Sequence, residues 1–323
     1  MALEDRGPVP QRSETAAKRV VAADLFLVDR YVYNATLPVH PTGDYRYWMG
    51  VVPGDRSDLI ANEIHPWEAV PKVFDPPAGW LQNCNDTPWT CAYPKLLESD
   101  DWAAGFAPPT GITQRAQRTI RMLSSELPEK MSFEDVCAGK LSTRMETADQ
   151  FVDDLVEAAE ALGGDRARQA AAVLAAWDRK ADAESDGALL FYRWMTAAGA
   201  GFSSIGGFEI PNDDRRPLDT PRGFADPAQA VAALESVAEE LESEYGSLSV
   251  PWGEVLRFAR DNDGESCDFP GNGVPSQLGG IRTVSGPFVD GRASAGSGDT
   301  YFAVVEFSKP VRARALLSYG NCE

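Results

Sequence analysis

The chain has 323 residues, 43% of them apolar and 10% aromatic, a globular composition that argues against disorder throughout. Thirty basic residues against 49 acidic ones leave a net charge of −19, which repels phosphate backbones and anionic membrane surfaces and so argues against nucleic-acid and membrane partners. With only His40 and His65, and with Cys84, Cys91, Cys137, Cys267 and Cys322 in no metal-ligand spacing, a His-dependent triad or a Cys/His metal centre is not expected.

Residues 1–19 are polar and charged, predict a poorly ordered tail, and contain no apolar core of a secretory signal; no run anywhere approaches 18 consecutive apolar residues. Val20–Val28 and Tyr31–Ala35 are β-prone and predict a strand pair turning at Asp29 and Arg30. From Pro41 to Val73 the chain is rich in loop formers and rings, with Tyr45, Tyr47, Trp48 and Trp67 set among Gly and Pro. Then comes Phe74–Trp89, FDPPAGWLQNCNDTPW. Pro76 and Pro77 stiffen the approach, Gly79 permits a bend, and Trp80 with Leu81 anchors a cluster of Gln82, Asn83, Asn85 and Asp86. An asparagine amide offers two donors and one acceptor, so an Asn held rigidly after a short strand can aim N–H at developing negative charge. The same residues can equally close Asx-turns ahead of Pro88. From the residues alone both readings stand, as do pairing or simple packing of Cys84 and Cys91.

Thr113–Leu127 predicts a helix with Ala116, Ile120, Leu123 and Leu127 on one face and arginines elsewhere. Ser132 and Asp135 form a capping-box pattern opening another helix. Thr147–Leu162 and Arg166–Trp177 predict an αα-hairpin about Gly163-Gly164, and Asp226, Pro227 and Gly246 bound an amphipathic helix by N-cap, N1 and C-terminal rules. Beyond Arg260, glycines divide short alternating segments, of which Ile281–Val284 and Tyr301–Phe307 are the clearest strands. These glycine runs fit neither a P-loop nor a dinucleotide fingerprint. Strands at both ends and helices between them predict an α+β fold.

The Phe74–Trp89 stretch resembles the Asn-loop segment of the penicillin acylase group of N-terminal-nucleophile amidohydrolases, which includes aculeacin and acyl-homoserine-lactone acylases. Asp75 stands where that group usually has Asn. The stretch around Tyr45–Asp55, the tryptophans Trp177 and Trp194 with Asp178 and Asp186, Leu218–Phe224 and Trp252–Val255 are similar to further elements of the group, in order. The resemblance implies a four-layer αββα fold, with a tail at 1–19 and one acylase-like domain at 20–323: strands and Asn loop over 20–112, a helical block over 113–260 and returning strands over 261–323. It also implies catalytic roles for Asn85, as donor to the oxyanion, and Arg115, as the cation orienting it. Trp48, Trp80 and Asn83 are the implied substrate-binding residues.

The same resemblance implies hydrolysis of linear amides, removing an acyl side chain from a β-lactam, lipopeptide or acyl-homoserine lactone, in a family whose members are often periplasmic or secreted. Family members attack with a Ser, Cys or Thr freed by autocatalytic cleavage, and no Gly-Ser-Asn-type processing site precedes Asn85 here. The expectation is therefore an internal piece of an acylase, inactive alone and completed by a second chain, or else a non-catalytic acyl-binding relic or scaffold subunit. No cofactor is expected. Calcium, held by some members through earlier carboxylates, has only Asp100 and Asp101 to suggest it here.

Overall fold

The computed structural model describes residues 20–22, 25–26, 30–32, 38–39, 42, 45–102, 107, 111–197, 207–262 and 265–319. The expected tail at 1–19 lies outside them. In the N-terminal part, strands β1 (Val20–Ala22), β2 (Leu25–Phe26) and β3 (Arg30–Val32) precede a single helical turn, α1 (Tyr45–Trp48), and strands β4 (Lys72–Phe74) and β5 (Leu81–Gln82). The helical block comprises α2 (Gln114–Arg121), α3 (Phe133–Lys140), α4 (Glu146–Leu162), α5 (Asp165–Ala176) and α6 (Ala188–Ala197). A hairpin of β6 (Phe208–Ile210) and β7 (Arg222–Phe224) leads to α7 (Pro227–Tyr245) and α8 (Trp252–Val255). The remaining strands are β8 (Leu256–Asn262), β9 (Glu265–Pro270), β10 (Val284–Ser285), β11 (Phe288–Val289), β12 (Arg292–Ser294), β13 (Ser297–Gly298), β14 (Tyr301–Glu306) and β15 (Arg312–Leu317).

Both ends of the chain enter one antiparallel sheet of order β15-β14-β1-β2-β5, with Val20 opposite Glu306 and Phe26 opposite Leu81. A second sheet, β11-β12-β8-β9, has one parallel pairing, Ala293 opposite Leu256. The α+β expectation holds. The expected hairpin about Asp29 and Arg30 does not: β1 pairs with β2 inside the first run, while Arg30–Val32 pairs with Lys72–Phe74. Two stretches of β-prone residues carry no local signal that says which will pair with which, and here the distant partner wins. Likewise only Val284 of the expected strand Ile281–Val284 joins a strand. Its neighbours are taken up elsewhere, Arg282 N–H by the Ser142 carbonyl and Arg282 carbonyl by Val274 N–H.

The helices obey their end signals. Ser132 and Asp135 form a reciprocal capping box, Asp226 accepts from Gln229 N–H ahead of Pro227, and Gly246 ends α7 at φ 72°. Gly163 stands between α4 and α5 in a space that only glycine fits, since a Cβ there would meet the Ala159 carbonyl oxygen at 2.5 Å and Ala167 Cβ at 2.8 Å. α4, α5, α6 and α7 bury one continuous apolar core that includes Phe151, Leu155, Leu174, Trp177, Phe191, Trp194, Leu234 and Trp252. Each of its tryptophans finds a carbonyl for its indole N–H: Lys180 for Trp177 at 2.7 Å, Ala230 for Trp194 at 3.1 Å and Gly273 for Trp252 at 2.9 Å. A second core of Trp80, Ile120, Met122, Leu123, Phe133, Val136, Cys137 and Val304 joins the approach to the Asn loop, α2, α3 and β14.

Gly187 shows how closely the helical block is packed, since a Cβ there would stand 2.5 Å from Trp177 Cγ and 2.6 Å from Trp177 Cβ. Gly187→Ala is expected to lower unfolding free energy by about 1–3 kcal/mol through overpacking. Chemical denaturation checks this, and a variant as stable as the parent would show that the Trp177 pocket yields freely.

Candidate active site

The Asn loop is held at both ends by one residue. Gln82, wholly buried at the end of β5, donates its backbone N–H to the Cys91 carbonyl at 2.8 Å and its side-chain amide to the Thr90 carbonyl at 2.5 Å. Upstream, Gly79 takes φ 74° and closes a turn onto the Pro76 carbonyl at 2.9 Å. Cys84, fully buried and free of any disulfide, places its Sγ 3.3 Å from Thr119 Oγ1 on α2. Cys91 is likewise a free, buried thiol, which burial pushes up to about 12.

Within this frame Asn83 and Asn85 do different things. Asn83 Oδ1 accepts the backbone N–H of Asn85 at 2.8 Å, an Asx-turn that sets Asn85 at φ 65°. The Asn85 side chain is thereby freed from its own turn. Its Oδ1 accepts from Arg115 Nη2 at 2.7 Å. A guanidinium only donates, so the amide is oriented without ambiguity: oxygen to Arg115, NH₂ away from it. Asn85 is exposed and Arg115 half-buried.

Arg115 stands in the first turn of α2, whose N-cap Thr113 accepts from Ala116 N–H. Besides Asn85 its fork holds the Cys84 carbonyl through Nη2 at 2.8 Å and Ser276 Oγ through Nε at 2.9 Å. Asp86 ties the loop to the same helix end, accepting Thr113 N–H and Oγ1–H at 3.0 Å each. Burial pushes the Asp86 carboxyl up to about 6, against the opposing pull of the Thr113 bonds and the Arg115 charge.

Beneath this surface α2 is anchored by charge. Arg118, 1% exposed, pairs with Glu126, with Glu146 at 3.6 Å and with Asp149 at 3.0 Å. Arg121 pairs with Glu146 at 2.8 Å and donates to the Leu218 carbonyl at 3.0 Å. Desolvation raises the Glu146 carboxyl while the two guanidinium groups oppose the rise. The predicted helix over Thr113–Leu127 is continuous but changes winding, with a π-helical turn at Met122–Glu126 after α2.

Of the sequence-derived site residues the structure brings together Asn83, Asn85 and Arg115. Trp80 is 4% exposed and packs among Ile120, Met122 and Phe133, beneath the loop. Trp48 lies in α1, and its side chain falls outside the described residues. Sequence reasoning missed the part played by Ser276, for which no local pattern exists, and by Asp86 and Thr113 as a clip between loop and helix. Thr113 was legible as an N-cap, the residue type that precedes a helical stretch. A cavity of about 620 Å³ opens between Val173, Trp177, Asp182, Ser185 and Gly187, with none of its lining residues in the Asn loop. Among the described residues no group of three or more His, Cys, Asp or Glu is placed to hold a metal ion, and no helix is long and apolar enough to cross a membrane.

An amide oriented by a guanidinium on an α+β frame presents a fixed side-chain donor, the kind of group that can meet developing negative charge. A family model described as penicillin amidase matches residues 12–323, and the chain belongs to that family. An acyl-homoserine lactone acylase, PvdQ, of Pseudomonas savastanoi pathovar phaseolicola is 27% identical over 299 residues, covering 84% of this chain and 36% of that protein. The chain thus spans about a third of the length of this curated relative. A thermostable penicillin G acylase from Alcaligenes faecalis is similar in structure with a TM-score of 0.46 and 18% identity, covering 89% of this chain and 56% of that one.

The half-buried Asp86 gives the loop a pH dependence whose sign is fixed. With its value raised from 3.8 to about 6 on folding, the ionised form is the one the fold disfavours. Its contribution is fully present below pH 4 and is lost as pH rises through about 6. Relative to Asp86→Asn, the parent chain is expected to lose up to about 3 kcal/mol of unfolding free energy between about pH 4 and pH 7. Denaturation midpoints across that range check it; a constant difference between the two proteins would refute it.

Proposed function

We propose that this chain supplies the oxyanion-stabilising part of an acylase-type amide hydrolase, with Asn85 as the donor and Arg115 as the cation that orients it. The observation that carries this reading is the 2.7 Å contact from Arg115 Nη2 to Asn85 Oδ1, made while Asn83 closes the turn in Asn85's place. When a nucleophile attacks an amide carbonyl, the carbonyl oxygen becomes an anion. A donor fixed in advance stabilises that anion without having to reorganise, an effect worth about 2.7–4 kcal/mol per donor. Asn85 Nδ2 is the donating end, and the positive charge of Arg115 behind it adds to the pull on negative charge.

The nucleophile is proposed to come from another segment of polypeptide. None of the residues before Asn85 forms a Gly-Ser-Asn-type cleavage site, and an amino-terminal Ser, Cys or Thr is the group whose own α-amine can serve as base near neutral pH. The substrate class proposed is a small acylated amide. The relative named as an acyl-homoserine lactone acylase supports an N-acyl amide of that kind. The chain by itself is expected to bind without turnover.

The test is complementation. The purified chain is expected to leave phenylacetyl and long-chain acyl-lactone amides intact, and addition of an acylase segment bearing an N-terminal Ser is expected to start hydrolysis. In the complemented enzyme Asn85→Ala should lower kcat by about 10²–10³, whereas Asn83→Ala should chiefly lower thermal stability. Equal kcat in the parent and Asn85→Ala enzymes would overturn the assignment, and so would turnover by the chain alone that is abolished on altering an internal Ser or Thr.

A further inference from the structure

The turn from Pro275 to Gly279 is remote in sequence from the Asn loop yet reaches its cation. Ser276 opens a short 3₁₀ turn over Ser276–Leu278, and its Oγ accepts from Arg115 Nε at 2.9 Å. The turn has little freedom. Gly279 takes φ 80°, and a Cβ there would meet Glu146 Cβ at 2.7 Å and Gln114 Cβ at 2.9 Å, so the backbone is pressed between the first turns of α2 and α4. Thr147 Oγ1 holds the Leu278 carbonyl at 3.0 Å, and Gly279 N–H returns to the Ser276 carbonyl at 3.1 Å. The hydroxyl of Ser276 is therefore delivered by a wedged backbone.

We infer that Ser276 is a positioning residue for the oxyanion donor, fixing the plane of the Arg115 guanidinium and through it the direction of the Asn85 amide. The Nη2 contacts to the Cys84 carbonyl and Asn85 Oδ1 lie at one corner of the planar fork, and Nε lies on another side of it. An acceptor on Nε adds a restraint on the plane from that second side. Ser276 touches neither Asn85 nor any reacting atom; it acts through Arg115 alone. The inference rests on the proposed function for its catalytic meaning, and its geometry can be read without turnover.

The experiment uses the full chain, isotopically labelled for NMR, as parent, Ser276→Ala and Ser276→Thr. In Ser276→Ala the Arg115 Nε–H is expected to exchange with water about tenfold faster, as loss of a hydrogen bond from a charged donor implies, and the Asn85 side-chain amide pair to shift. Ser276→Thr keeps the acceptor and should restore both signals. The thermal midpoint of Ser276→Ala should stay at the parent value. Unchanged Arg115 and Asn85 signals in Ser276→Ala would overturn the inference, and so would a change that Ser276→Thr does not rescue, because that marks lost packing. A complemented enzyme that stays silent with parent chain counts against the proposed function, whereas unmoved signals count against Ser276.

Discussion

The candidate site depends on one planar cation. Arg115 gathers a backbone carbonyl, a side-chain amide and a hydroxyl from two stretches that lie far apart in the chain, the Asn loop and the turn before Gly279. Arginine can do this because its donors lie in a fixed fork, so satisfying one constrains the direction of the others. Lysine would carry the same charge but no plane. The orientation of the Asn85 amide is thus a consequence of where three separately folded pieces come to rest.

What holds Arg115 is a helix of unusual character. The buried side of α2 carries Gln117, Arg118 and Thr119 together with Ala116 and Ile120, so its contacts are largely directional. Gln117 Nε2 donates to the Pro217 carbonyl at 2.9 Å and to the Thr220 carbonyl at 2.5 Å, while Arg118 and Arg121 enclose Glu146, which is fully buried. An apolar face can slide with modest loss; a face of paired polar groups cannot, since a small rotation leaves buried charge without its partner. Burying Glu146 is costly in itself. In return the angular setting of α2, and hence of Arg115, is held to one value.

Legibility in the sequence followed the range of the interaction. The caps at Ser132 and Asp226, the break at Gly163 and the end at Gly246 are local devices, and each operates where the residue types place it. Strand partners are set by contacts between distant residues, which is why Val20 opposite Glu306 had no signature and why Arg30–Val32 went to Lys72–Phe74. The Asn loop showed both of its alternatives in the sequence. The structure divides them between two residues, Asn83 taking the turn and leaving the Asn85 side chain to Arg115. Ser276 could not be read at all, because its contact with Arg115 spans 161 positions and involves the commonest of hydroxyls.

The outermost strand of the larger sheet has a consequence for handling the protein. β15 is exposed along all six of its residues, and its outer backbone groups meet no further strand among those described. Such an edge invites a second copy to add on and extend the sheet. Arg312 and Arg314 alternate along it, both paired with Glu134 and Arg312 also with Glu306, and a second strand laid on this edge would have to strip water from those ion pairs. The guard on this edge is therefore two arginines that have no part in the chemistry.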